Sequence, residues 1–212
     1  TLFRSDYRSL FDRMQLSFAG MEIPVKPTDQ LLAAYGGRTS RPNSAGEDLY
    51  LEVLYYQFGR YLLIASSRPG SLPANLQGIW ADGLNPPWYA DYHTNINVQM
   101  NYWLAEPTNL SECHLPLIEF INSLVPRGRI TAQRYFVTTS GRPARGWTTF
   151  HECNIWGNTA PAVSEAFWFP VGGAWLARHI WDAYLFSMDK EFLQENFDTI
   201  FEGAVFWVDA LV

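Results

Sequence analysis

The chain has 212 residues, 48% of them hydrophobic and only 17% charged, with a formal net charge of −6. This length and apolar content suffice for one sizeable core, or for part of a larger domain. Lysine and arginine are scattered and no apolar run reaches bilayer length, which argues against a nucleic-acid partner and a membrane span. Nine tryptophans provide flat apolar surface for packing or for a ring-shaped ligand such as a sugar.

Apolar residues recur at helical spacing along most of the chain. We predict helices over residues 3–14, 48–66, 98–105, 115–124, 176–187 and from about 190 onward. Strand signal is confined to residues 135–139 and 147–150, which we expect to form a hairpin. The predicted class is mainly α, with six or seven helices. Because the helical repeat continues to both ends without capping signals, we expect a fragment of a larger domain.

Several common site types lack their sequence patterns. Cys113 and Cys153 lie outside any CxxC motif, which favours buried free thiols over a disulfide. The histidines at positions 93, 114, 151 and 179 match no compact metal-ligand spacing. GxSxG, Walker A and GxGxxG motifs are also missing from the sequence. We therefore predict no metal, no nucleotide cofactor and no serine-hydrolase chemistry.

The segment YHTNINVQMNYW places two amides, Asn95 and Asn97, directly after His93. If this segment is extended, the two amides point to the same side and converge on one spot. Amides are not bases near neutral pH, but they can hold a water for a carboxylate that moves the proton. The alternative is that they cap the helix that follows, a role that asparagine often takes.

Two long aromatic loops carry the remaining candidate residues. LPANLQGIWADGLNPPW combines Asn75, Gln77 and Trp80, and the loop over residues 146–173 contains His151 and Trp168. Amides that bind hydroxyls and indoles that stack on C–H faces are the mixture that a sugar requires. The alternative is that the tryptophans only fill gaps between helices. Glu152 and Glu165 are weaker candidates for catalytic carboxylates, since lone acidic residues are mostly solvated.

Four segments together resemble glycoside hydrolase family 95, the inverting α-L-fucosidases that act on α-1,2-linked fucose. They are SSRPGSLPANLQGIWADGLNPPW, YHTNINVQMNYWLAEPTNLSEC, WGNTAP and FPVGGAWLARHIWDAYLFSMDKEFL, in a match that runs from about Tyr7 to Val212. The resemblance implies an (α/α)6 toroid flanked by β domains. Residues 1–212 would be about the first half of that toroid, the N-terminal portion of the catalytic domain.

The resemblance also implies roles for individual residues. Asn95 and Asn97 would orient the attacking water, and the sugar contacts would be His93, Trp80, His151, Trp168, Asn75 and Gln77. The family's general acid, a glutamate in an SPE-like segment, and its water-polarising aspartate are not found in this chain. We therefore expect activity from the full-length parent and an inactive isolated fragment.

Three alternatives to a fucosidase stay open at the level of sequence. They are an α-L-galactosidase of the same family, whose sugar differs only by a hydroxyl at C6, a non-catalytic sugar-binding toroid, and a helical-toroid glycosidase with a glucuronyl or maltosyl substrate. Because fucosylated glycans lie mostly outside the cytosol, we expect an extracellular or periplasmic protein.

Overall fold

The computed structural model describes residues 2–162 and 164–211, and these residues are mainly α-helical. Seven α-helices occur among them: α1 (Leu2–Phe11), α2 (Thr28–Ala34), α3 (Ala45–Ser66), α4 (Asn97–Tyr102), α5 (Ser111–Tyr135), α6 (Gly172–Ser187) and α7 (Lys190–Ala210). Strand is limited, in the described residues, to β1 (Tyr92–His93) and β2 (Glu152–Cys153), which pair antiparallel. The predicted mainly α class is confirmed.

The chain divides into two compact units, Thr1–Ile64 and Ala65–Val212, and the first is organised by one arginine. Arg60 on α3 is fully buried, and its guanidinium donates hydrogen bonds to the carbonyls of Leu10 and Phe11 at 3.1 and 2.8 Å. The last carbonyls of a helix have no partner within the helix. Arg60 therefore completes the end of α1 and fixes it to α3.

The second unit is built on α5, α6 and α7, which pack on one another. Leu117, Ile121 and Leu124 recur at helical spacing on α5 and are completely buried with Ile180 of α6. Trp147 lies in the same interior, where its indole N–H donates to the carbonyl of Thr199 at 2.8 Å. This interior is the support on which the loops between α3 and α6 lie.

A buried polar chain crosses the second unit beside this interior. His114 Nδ1 lies 2.8 Å from a carboxylate oxygen of Glu106, and His114 Nε2 lies 2.9 Å from Nδ1 of His179. Burial, reinforced by the nearby His114 and Arg178, lowers the pKa of His179 to about 3. His179 is therefore neutral at physiological pH, and each hydrogen bond in the chain has one donor and one acceptor.

Two predicted elements differ from the structure by more than a few residues at their ends. The helix predicted over residues 115–124 is part of the longer α5, which continues across Pro116 and Pro126. Pro116 is itself buried, and packing of the α5 face offsets the hydrogen bonds that the two prolines remove. The predicted hairpin is wrong, because residues 135–139 and 147–150 contribute no described strand and Val137 forms one isolated bridge with Pro143.

Other features of the sequence agree with the structure. Cys113 and Cys153 are both buried and are not joined by a disulfide, as the sequence favours. The final helix starts at Lys190, where Asp189 caps it by accepting from the backbone N–H groups of Glu191 and Phe192. Among the helices of the described residues, none combines the length and apolarity that a bilayer crossing requires.

Candidate functional site

A two-stranded pairing brings together polar residues from the two aromatic loops. β1 and β2 align His93 opposite Glu152 and Tyr92 opposite Cys153. Directly opposed residues of an antiparallel pair share a face, and neighbours along a strand alternate. His93 and Glu152 therefore project together, while Tyr92 packs on the other side against Phe120, with ring centroids 4.7 Å apart.

Four titratable side chains meet at this face. Glu152 Oε1 lies 3.8 Å from Nε2 of His93 and 3.5 Å from Nε2 of His151. On the other side of His93, Nδ1 lies 2.5 Å from a carboxylate oxygen of Asp91. These two atoms are in close contact, but they do not form a hydrogen bond. We call Asp91, His93, His151 and Glu152 the histidine–carboxylate cluster.

The histidine–carboxylate cluster is largely withdrawn from solvent. Side-chain exposure is 7% for each histidine, 13% for Asp91 and 15% for Glu152. Nε2 of His93 is buried and has no hydrogen-bond partner among the described residues. Within residues 2–162 and 164–211, no lysine or arginine forms an ion pair with Asp91 or Glu152. The cluster therefore concentrates two carboxylates without a permanent positive charge.

Aromatic rings enclose the cluster on two sides. The Trp88 ring meets His93 edge-on at 5.7 Å, and Phe167 lies 6.3 Å from the His151 ring. Trp88, Tyr89 and Ala90 all have positive φ, between 53° and 59°. Such conformations cost non-glycine residues about 1–2 kcal/mol each. The backbone is thus strained in the turn that places the Trp88 ring against His93.

The two predicted water-binding amides lie just after this cluster. Asn95 and Asn97 are both exposed, and neither side-chain amide forms a hydrogen bond with another described residue. The segment is not extended as we expected: residues 94–96 form a turn, and Asn97 is the first residue of α4. The capping interpretation is also wrong, because the cap position is Ile96 and no side chain caps α4. Both amides are left available to solvent or ligand.

The turn that carries the amides is fixed through Thr94. Its backbone N–H donates to the carbonyl of His151 at 2.7 Å, and its hydroxyl donates to the carbonyl of Phe150 at 2.9 Å. The carbonyl of Thr94 accepts from the buried side-chain amide of Gln99 at 2.5 Å. Thr94 is fully buried where the segment of the two exposed asparagines meets the second loop. The turn therefore has little freedom to shift.

The start of α6 also presses on this turn. A Cβ atom added to Gly172 would collide with Thr94 Oγ1 and would lie 2.9 Å from the backbone oxygen of Thr149. Only glycine permits this approach without displacement of the neighbouring chain. Gly172 therefore sets how closely α6 supports the amide turn.

The other predicted sugar contacts occupy the surrounding loops. Asn75 is half-buried, and its side-chain oxygen accepts from the backbone of Gln77 at 2.8 Å, so it shapes the loop. Gln77 donates to the carbonyl of Pro87 at 3.0 Å, while its own side-chain oxygen is buried without a partner among described residues. Trp80 is 44% exposed with its ring over Gly78, and Trp168 is 40% exposed and packs on Phe150.

The structure thus joins His93 with His151, and the first loop meets the cluster through the Trp88 ring and through backbone. The N–H of Leu76 donates to the carbonyl of Asp91 at 3.2 Å. Sequence reasoning missed Asp91 as a site residue and gave Trp88 only a general aromatic role. The available signal was local: Asp91 is two positions from His93, so both side chains share a face when the chain is extended.

Two nearby features are poor candidates for chemistry. Burial raises the pKa of the Cys153 thiol to about 12, so it remains protonated and is not a nucleophile. A groove of about 260 Å³ between α6 and α7 is lined by Ala177, Trp181, Ile200 and Gly203, with Arg178 as its one charged lining residue. So apolar a lining offers few partners for sugar hydroxyls.

Comparison with known proteins gives one consistent result. Residues 3–212 match the glycosyl hydrolase family 95 catalytic domain. The chain is 41% identical over 210 residues to alpha-L-fucosidase 2 of Arabidopsis thaliana, covering 98% of this chain and 24% of that protein. It is 38% identical over 211 residues to probable alpha-fucosidase A of Aspergillus niger, covering 98% and 25%. The chain therefore spans about a quarter of the length of these curated relatives.

Proposed function

Because the chain belongs to glycosyl hydrolase family 95, we propose that the complete protein removes terminal α-1,2-linked L-fucosyl residues from oligosaccharides or glycans with inversion of configuration. The names of the relatives support the choice of fucose, since both are described as fucosidases. We further propose an extracellular or periplasmic location, where such glycans are most abundant.

The observation that carries the mechanism is the exposed amide pair on a rigid turn. The side-chain amides of Asn95 and Asn97 have no hydrogen bonds to other described residues, whereas Thr94 is buried and hydrogen-bonded through all its polar groups. Neutral amides can accept one water hydrogen and donate to the water oxygen, which fixes its position. In this proposal they hold the attacking water, and a carboxylate removes its proton.

Inversion requires two further groups on opposite faces of the sugar. A carboxylic acid protonates the leaving oxygen while a base activates the water, with the two groups roughly 6.5 to 9.5 Å apart. The SPE-like glutamate of the family does not occur in residues 1–212. We accordingly expect hydrolysis from the complete protein and none from residues 1–212 alone.

The sugar itself would be bound by the groups next to the amide pair. His93 and His151 present ring nitrogens, Asn75 and Gln77 lie in the adjoining loop, and Trp80 and Trp168 expose parts of their indoles. Hydroxyls would bind the polar groups, and the C–H face of the ring would pack on an indole.

The test is incubation of the complete protein with 2′-fucosyllactose and NMR of the sugar at early times. We expect free fucose that appears first as the β-anomer, since an inverting enzyme reverses the α-linkage. Two matched substrates are compared with 2′-fucosyllactose: one carries L-galactose in the same α-1,2 linkage, and the other carries fucose in a 3-linkage. First appearance of the α-anomer, or preference for L-galactose, would contradict the proposal.

A further inference from the structure

We propose that the histidine–carboxylate cluster is a binding site for a divalent transition-metal ion such as Zn²⁺. The ligands would be Nε2 of His93, Nε2 of His151 and a carboxylate oxygen of Glu152. This inference does not depend on the proposed fucosidase activity, because it concerns what the cluster binds in the absence of sugar.

Distances support this assignment. One ligand atom from each of the three residues lies within 4.8 Å of the other two. The Glu152 oxygen is 3.8 and 3.5 Å from the two imidazole nitrogens. Tetrahedral Zn²⁺ with bonds of about 2.0–2.1 Å places its ligands about 3.3 Å apart. Small side-chain adjustments would therefore bring all three atoms to an ion at their centre.

The unsatisfied nitrogen of His93 gives independent support. Nε2 of His93 is buried, faces Glu152 and His151, and has no hydrogen-bond partner among the described residues. A buried polar nitrogen without a partner is costly, and most such groups in proteins are satisfied. A metal ion would occupy the lone pair that protein groups leave unused.

The charges of the two carboxylates and the orientation of the His93 ring also support a metal ion at the cluster. Asp91 and Glu152 bring two carboxylates into a poorly solvated cluster that, among described residues, includes no lysine or arginine partner. A divalent cation would balance them. Asp91 also lies against Nδ1 of His93, on the side of the ring away from Nε2, where it limits how the imidazole can turn. Asp91 would thus be a positioning residue.

The donor set indicates the class of ion. Two imidazole nitrogens and one carboxylate oxygen favour Zn²⁺ or a similar first-row ion over Mg²⁺ and Ca²⁺, which prefer oxygen ligands alone. Three protein ligands leave at least one coordination position open for water or a hydroxyl group. Simple spacing rules miss this site because His93 and His151 are distant in the sequence and come together through the pairing of β1 with β2.

The experiment is metal titration of the complete protein after chelator treatment. We expect one Zn²⁺ per chain by calorimetry, and a Co²⁺ absorption spectrum of low-symmetry nitrogen and oxygen coordination. Glu152→Gln should weaken Zn²⁺ binding at least tenfold. The matched control is Glu165→Gln in the same loop, where an exposed carboxylate outside the cluster is lost and binding should not change.

The role of Asp91 is tested separately by Asp91→Asn. We expect Zn²⁺ affinity to fall about 10–100-fold while the Co²⁺ spectrum keeps its form, because the three ligands remain. A purely structural role would leave the affinity of the folded variant unchanged. Circular dichroism identifies variants that fail to fold, and for those X-ray absorption of the Zn²⁺-loaded wild type decides.

Three results would overturn the proposal: no stoichiometric binding by the wild type, equal affinity in Glu152→Gln and Glu165→Gln, or sulfur in the Zn²⁺ coordination shell. Sulfur would place the ion at a cysteine instead. Because every readout is made without sugar, failure here and failure to release fucose are distinguishable.

Discussion

Asn95 and Asn97 are positions where catalysis and stability can be separated by a single substitution. Asn97→Ala in the complete protein should lower kcat for 2′-fucosyllactose by about 10²–10⁴-fold, the usual contribution of assisted proton transfer. Its free energy of unfolding should change by less than about 0.5 kcal/mol, since the side chain is exposed and unbonded. Steady-state kinetics and urea denaturation measure the two quantities.

Asn101→Ala in the same helix is the matched control for this prediction. Asn101 donates to the carbonyl of Asn75 at 3.0 Å, so its loss should cost about 1 kcal/mol of stability. The expected effect on kcat is much smaller than that of Asn97→Ala. If the two alanine variants lose activity equally, the amide pair does not hold the reactive water.

At the scale of elements, the contact between α6 and the amide turn depends on Gly172. Gly172→Ala should destabilise the second unit by about 1–3 kcal/mol, because the added Cβ meets the Thr149 backbone, which cannot rotate away. The added Cβ would also displace Thr94, and this shift of the amide turn should reduce the activity of the complete protein. Urea denaturation and kinetics are again the measurements.

Gly203→Ala on α7 tests whether the effect is specific. An added Cβ at Gly203 would meet its nearest neighbour at 3.6 Å, an ordinary contact, and alanine is the better helix former. We expect stability to be unchanged or to rise by up to about 1 kcal/mol. Similar losses in both variants would show that Gly172 has no special role.

Helical elements were predictable where one apolar face decides the structure. The repeat over residues 48–66 anticipates α3, and the apolar repeat that begins near residue 190 anticipates α7. Local rules are less informative for α5, where burial of one face outweighs two prolines. The β1–β2 pairing has no local signal at all, because each strand has two residues and its partner is distant in the chain.

The candidate site, too, was only partly predictable from the sequence. Residue chemistry alone identified His93, His151 and the amides as polar groups in need of partners. It could not indicate that Glu152 joins the two histidines, since that contact depends on strand register. Nor could it indicate that residues 94–96 turn instead of extending, because the hydrogen bonds of Thr94 to the second loop impose that shape.

For the molecule as a whole, the buried Glu106–His114–His179 chain predicts acid sensitivity of the second unit. The pKa of His179 is about 3 in the folded state and about 6.5 when unfolded, so the unfolded chain binds more protons between these values. Stability is therefore retained above pH 6.5 and decreases as the pH falls. Between pH 7 and pH 5, protonation of this histidine in the unfolded chain should lower the free energy of unfolding by about 2 kcal/mol.

Urea denaturation at the two pH values measures this loss, with His179→Gln as the comparison. Glutamine can still hydrogen-bond to His114 but takes up no proton, so the variant should lose less stability between pH 7 and pH 5. Equal losses in wild type and variant would assign the acid sensitivity to other groups.

The short β1–β2 pairing also limits how the gene can change in length. Insertion of one codon between Asp91 and Tyr92 would exchange the strand faces, because Tyr92 would then lie opposite Glu152 in the place of His93. The exposed stretch around residues 82–85 has no such register to preserve. Natural length variation in this protein should therefore accumulate in that stretch and be absent from the seven residues that follow Ala90.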